Sequence, residues 1–120
     1  MKPIKGLILM QLNYFIEFDA TDEWKKFRFP KQFGLIEYLL EDMEGFSEPI
    51  YLPYFQRVID GVSERERIGG NMCWLEINKD TTLIEMEFIP DDVPNNQYFL
   101  TNDLIKIIRH WQVENKDKLL

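Results

Sequence analysis

Either side of Lys79-Asp80 the chain alternates apolar and polar residues, and this stretch constrains the fold more than any other. If Lys79 and Asp80 form a two-residue loop, Ile77 faces Thr82, Leu75 faces Ile84 and Cys73 faces Met86. All three pairs then share one apolar face, so the register is self-consistent. A four-residue loop over Asn78–Thr81 preserves the same register. The expectation is an antiparallel hairpin with one buried face.

The other elements follow from spacing. Residues 4–18 alternate like a long strand, with Ile8, Met10, Leu12, Tyr14, Ile16 and Phe18 on one face. A turn is expected over Asp19–Glu23. Pro30 suits the first turn of a helix, where its missing N–H costs nothing. From there Phe33, Ile36, Leu39, Leu40 and Met43 recur at helical spacing, and Gly45 is a natural stop. A second helix begins near Pro53 with Phe55, Val58, Ile59 and Val62 as its stripe. Ser63–Arg67 reads as a charged surface stretch, and Gly69-Gly70-Asn71 and Pro90–Asn96 read as turn and loop. Thr101 is placed to cap a last helix whose buried stripe is Leu104, Ile107, Ile108 and Trp111. The tail from Glu114 is polar and is expected to fray. Together these describe one α+β domain over residues 1–120, with a long N-terminal strand and a hairpin packed on one face by about three helices.

Composition narrows the function. With 21 acidic against 14 basic residues the net charge is −7, which disfavours nucleic acid and anionic membrane as partners and allows a basic protein. The single Cys73 forms no internal disulfide, which fits a reducing compartment. Gly6–Met10 superficially resembles a signal peptide, but Gln11 and Asn13 interrupt it and no small-residue cleavage site follows. A cytoplasmic location is expected.

Most catalytic chemistry lacks its residues. His110 is the one histidine, and it sits beside Trp111 late in a helix, where packing or solvation accounts for it. Cys73 lies on the core face of a strand, where a thiol behaves as a small hydrophobe. A structural zinc site needs about four Cys and His ligands, and the chain has two such residues in all. Asp91–Asn96 lacks the calcium-loop pattern, and Gly69-Gly70 lacks phosphate-cradle spacing. Glu85 and Glu87 project from one strand face as a carboxylate pair, which suits either acid–base chemistry or a solvated sheet face. The expectation is no catalytic residue, no metal and no cofactor.

The charge is concentrated. Residues 37–60 and 76–92 each carry six acidic residues and one basic, −5 apiece. Glu37, Glu41 and Glu44 form a helical stripe, and Glu41, Asp42 and Glu44 crowd a helix C-terminus, where negative charge opposes the dipole. A local rule broken without visible compensation marks either functional surface or, since exposed charges in salt cost little, a face kept only for solubility. On the sheet, Trp74, Glu76, Leu83, Glu85 and Glu87 face away from the core, as do Leu7, Leu9 and Phe15 of the first strand. Apolar anchors ringed by carboxylates suit a protein interface, and equally suit a face partly covered by another helix. Aromatic residues number 17 of 120, more than a domain this small comfortably hides.

The closing segment Phe99-Leu100-Thr101-Asn102-Asp103-Leu104-Ile105-Lys106-Ile107-Ile108-Arg109-His110-Trp111, behind a hairpin in a small acidic α+β chain, resembles the bacterial immunity proteins of polymorphic-toxin and contact-dependent growth inhibition systems. The resemblance implies a cognate toxin, commonly a basic nuclease domain, neutralised in a tight one-to-one complex. Glu37, Glu41, Glu44, Trp74, Glu85 and Glu87 are the candidate partner-binding residues. An adaptor for a basic protein, a small enzyme using Glu85 or Glu87, and a homodimer through the Trp74 face are the alternatives.

Overall fold

Strand β4 (Cys73–Asn78) and strand β5 (Thr81–Met86) pair through the two-residue loop in the expected register, Cys73 opposite Met86, Leu75 opposite Ile84 and Ile77 opposite Thr82. Both are central in a four-stranded antiparallel sheet in the computed structural model, which describes residues 13–18 and 24–120. Its edges are β3 (Arg65–Gly69) and β6 (Asn96–Leu100). A separate ribbon pairs β1 (Phe15–Glu17) with β2 (Lys26–Arg28). Three helices complete the chain: α1 (Gly34–Phe46), α2 (Leu52–Ile59) and α3 (Thr101–Glu114). The architecture is α+β, as the sequence predicts.

All three helices pack on the sheet face that carries Cys73, Leu75, Ile77 and Ile84. Leu35, Ile36, Leu39 and Met43 of α1, Phe55 of α2, and Leu104, Ile108 and Trp111 of α3 are fully enclosed there. Each such side chain contributes about 1.5–3 kcal/mol of burial. The ribbon lies against α1 and α3. Tyr14 packs on Phe27 and Phe29, its hydroxyl 2.7 Å from His110 Nδ1, and Trp24 stacks on Trp111.

Several expectations need correction. The charged stretch at Ser63–Arg67 belongs largely to edge strand β3, whose Arg65 and Arg67 face solvent while Ile68 turns inward. Phe15 does pair in a strand, but with β2 and not with the hairpin, so it does not share a face with Trp74. Phe18 is exposed, not buried. The remaining expected strand residues 4–12 and the turn at 19–23 lie outside the described residues.

The helix ends also differ. Gly45 lies inside α1, and Ser47 takes the left-handed conformation (φ 56°) that closes the helix, with Glu48 N–H donating to the Met43 carbonyl. Pro30 precedes a 3₁₀ turn at Lys31–Phe33 and is not in the first turn of α1. Val62 falls beyond α2 and is exposed. Thr101 is the first residue of α3 and makes no cap; its buried hydroxyl donates to the Asn78 carbonyl at 2.6 Å and accepts from Thr82 Oγ1 at 2.9 Å, fastening α3 to the hairpin. The tail is tied down. Asn115 is buried, its Oδ1 accepting from Lys25 N–H at 2.7 Å and its Nδ2 donating to the Trp111 carbonyl, and Leu120 N–H donates to Ser47.

Candidate partner-binding surface

Alternation along β4 and β5 sends Trp74, Glu76, Leu83 and Glu85 to the sheet face opposite the helices, and no described element covers that face. Trp74 pairs with Gly69 on one side and Glu85 on the other. A Cβ on Gly69 would sit 2.9 Å from Trp74 Cε2, so the indole lies over the space that glycine leaves open. Trp74 as a whole residue stays 59% exposed. An aromatic covering a cross-strand glycine is fixed in place yet exposed.

Beyond Trp74, at the end of the hairpin remote from Lys79-Asp80, the chain leaves β5 through Glu87 and Phe88. Asn71, Met72, Trp74, Met86, Glu87 and Phe88 line a groove of about 380 Å³ there. Phe88 is 88% exposed, and Met72 is exposed as well. Phe88 and Met72 belong to the apolar patch but were not singled out from sequence. A lone aromatic outside any periodic run gives no signal of its surroundings.

The loop that carries Met72 is held by a buried acid. Asp42 on α1 accepts from the Tyr51 hydroxyl at 2.5 Å, from Asn71 N–H at 2.9 Å, and from Met72 and Cys73 N–H at 3.2 Å. Gly70 makes room for this cluster, since a Cβ there would lie 2.1 Å from the Tyr51 hydroxyl. Burial first, and then the hydrogen bond to Asp42, push the Tyr51 hydroxyl far above the usual tyrosine range. Burial, with the Asp42 charge second, pushes the Cys73 thiol up to about 12. Cys73 therefore stays protonated in neutral solution.

The acidic stripe on α1 is compensated within the chain, contrary to the sequence reading. Lys26 of β2 contacts Glu44 at 2.5 Å, and Glu37 accepts from Arg28 at 3.1 Å and from Phe29 N–H at 3.0 Å. Glu37 and Glu44 thus face the ribbon, while Asp42 faces the β3–β4 loop. Glu41 is half-buried and makes no ion pair among the described residues. In the second acidic segment Glu76 pairs with Arg65 and Asp92 with Lys31. Glu85 and Glu87 are exposed and carry no ion pair among the described residues. Of the six candidates, the structure brings Trp74, Glu85 and Glu87 together at one place; Glu37 and Glu44 brace the ribbon.

A wider groove of about 820 Å³ runs past Phe46, Pro49, Leu52, Tyr54, Ile68 and Leu120. Its cation Arg57 already stacks on Tyr54 and pairs with Glu66. Among the described residues no three His, Cys, Asp or Glu side chains are grouped to hold a metal ion, and no helix is long and apolar enough to cross a membrane.

The chain is thus α+β with an aromatic, acid-edged sheet face that no described element covers, and the comparison with known proteins places it. An immunity protein from Bacillus cereus is 30% identical to it over 91 residues, 75% of this chain and 77% of the relative. The chain belongs to the immunity protein family. No protein-family model matches the sequence, and no solved structure matches it.

Proposed function

We propose that the chain acts in the cytoplasm as a binding inhibitor with no reaction of its own, neutralising a cognate toxin domain. The toxin surface is basic, as in a nuclease, and belongs to a polymorphic-toxin or contact-dependent growth inhibition system. It docks on the sheet end at Trp74, with Glu85 and Glu87 steering it in. The observation that carries this reading is the exposed Trp74 seated over Gly69 beside two carboxylates that carry no ion pair among the described residues, in a member of the immunity protein family. Apolar anchors of this kind slow release, and rim charges of one sign speed capture of an oppositely charged partner. Glu41 extends the acidic border, while Glu37 and Glu44 act there only at the cost of their pairs with the ribbon.

The test is co-expression with the C-terminal domain encoded by the gene immediately upstream, scored by growth and co-purification. Rescue with a one-to-one complex is expected. Binding without rescue would make the chain an adaptor, and a harmless, non-binding neighbour would overturn the reading.

A further inference from the structure

The groove between Trp74 and Phe88 combines features that select its occupant. Two aromatic side chains and two methionine thioethers give polarisable, apolar walls, and Glu87 places a carboxylate on the rim. Glu85 stands directly across the strand from Trp74. An apolar occupant would desolvate these carboxylates without giving them a hydrogen-bond donor. A second copy of the same face, related by a two-fold axis, would set Glu85 and Glu87 against their own like charges.

A planar cation meets every demand at once. Guanidinium stacks on aromatic faces, is more weakly hydrated than ammonium and offers forked donors to a carboxylate. We propose that this groove is a receptor for one arginine side chain of the partner, stacked on Trp74 and hydrogen-bonded by Glu87. The proposal rests on the reading above, that a basic toxin domain docks at this end of the sheet, and names the side chain that enters.

The groove can be tested without any toxin. The intact chain, with methionine methyls carbon-13 labelled, is titrated with N-acetyl-arginine amide, its lysine counterpart and the neutral citrulline counterpart. Saturable shifts of the Met72 and Met86 methyls and the Trp74 indole N–H are expected with arginine. Binding should be at least about fivefold weaker with lysine and absent with citrulline. Glu87→Gln and Phe88→Ala, both at exposed positions, should abolish the shifts while leaving the core methyl signals unmoved. No saturable shift, equal response to citrulline, or binding that survives both substitutions would overturn the proposal. Rescue from a toxin without arginine binding would sink the receptor alone; arginine binding without rescue would leave the groove standing and remove the toxin.

Discussion

The indole of Trp74 occupies the space above Gly69 that any other residue's Cβ would fill, coming within 2.9 Å of it at Cε2. Gly69→Ala should therefore displace the ring. The strand sits at the sheet edge, so the unfolding free energy should change by less than about 1 kcal/mol. Partner affinity should fall about tenfold or more if the ring is a central anchor. Near-ultraviolet circular dichroism reports the ring and calorimetry reports the affinity. A displaced ring with unaltered affinity would remove Trp74 from the interface.

Charge reversal should separate the two acidic regions. Glu85→Lys and Glu87→Lys should leave stability within about 0.5 kcal/mol and slow association with a basic partner about tenfold or more at low salt. Glu44→Lys should instead lower stability by about 1–2 kcal/mol, because Glu44 and Lys26 keep only 10% and 18% of their side-chain surface in solvent. Stopped-flow association at two salt concentrations, alongside urea unfolding, distinguishes them. Association unchanged by the Glu85 and Glu87 substitutions would remove the acidic-patch mechanism.

Thr101 offers a test of helix capping against interior hydrogen bonding. At a true N-cap, Thr101→Asp would be neutral or stabilising. Here the hydroxyl is enclosed between Asn78 and Thr82, so Asp should destabilise strongly and Thr101→Val should cost about 1–3 kcal/mol by leaving Thr82 and the Asn78 carbonyl unpaired. Thr101→Ser should retain most of the stability. Urea titrations of the three variants rank them.

Alkaline pH should loosen the fold through Cys73 and Tyr51. Both are acids whose folded values are raised, so the folded state holds protons that the unfolded chain releases. The stability they contribute is fully present below pH 9.0, the ordinary thiol value, and falls as pH climbs toward about 12. Cys73→Ala should flatten the first part of that decline. In the native protein the thiol should resist alkylation at pH 8 and react only on unfolding; ready labelling would show that strand β4 opens locally.

The hairpin was legible because both its strands are central, so one buried face writes a clean period of two across Cys73–Met86. Helix stripes such as Leu104, Ile107, Ile108 and Trp111 were legible for the same reason at their own period. The edge strands were not. Arg65 and Arg67 on β3 face water, leaving Ile68 as its inward apolar residue, and charged edge positions also guard against unwanted strand pairing. Asn96–Leu100 is short and leads directly into α3, so its pattern merges with a helix start. The acidic stripe misled because Glu37 and Glu44 are answered by Arg28 and Lys26 across a ribbon that spacing along α1 does not reveal. Trp74 and Glu85 were found together because they face each other across one strand pair, with Glu87 just past the end of β5, whereas Phe88 and Met72 join them only through loops.

Asp42 binds three successive backbone amides, Asn71 to Cys73, to helix α1, and Tyr51 closes the same cluster. The segment that presents Met72 beside Trp74 is consequently shaped before any encounter. A surface held in one shape forfeits little conformational entropy on contact, so more of any contact energy survives as affinity. For the docking proposed at Trp74, the same tether would couple recognition to folding: whatever loosens helix α1 would also blur the shape of this surface.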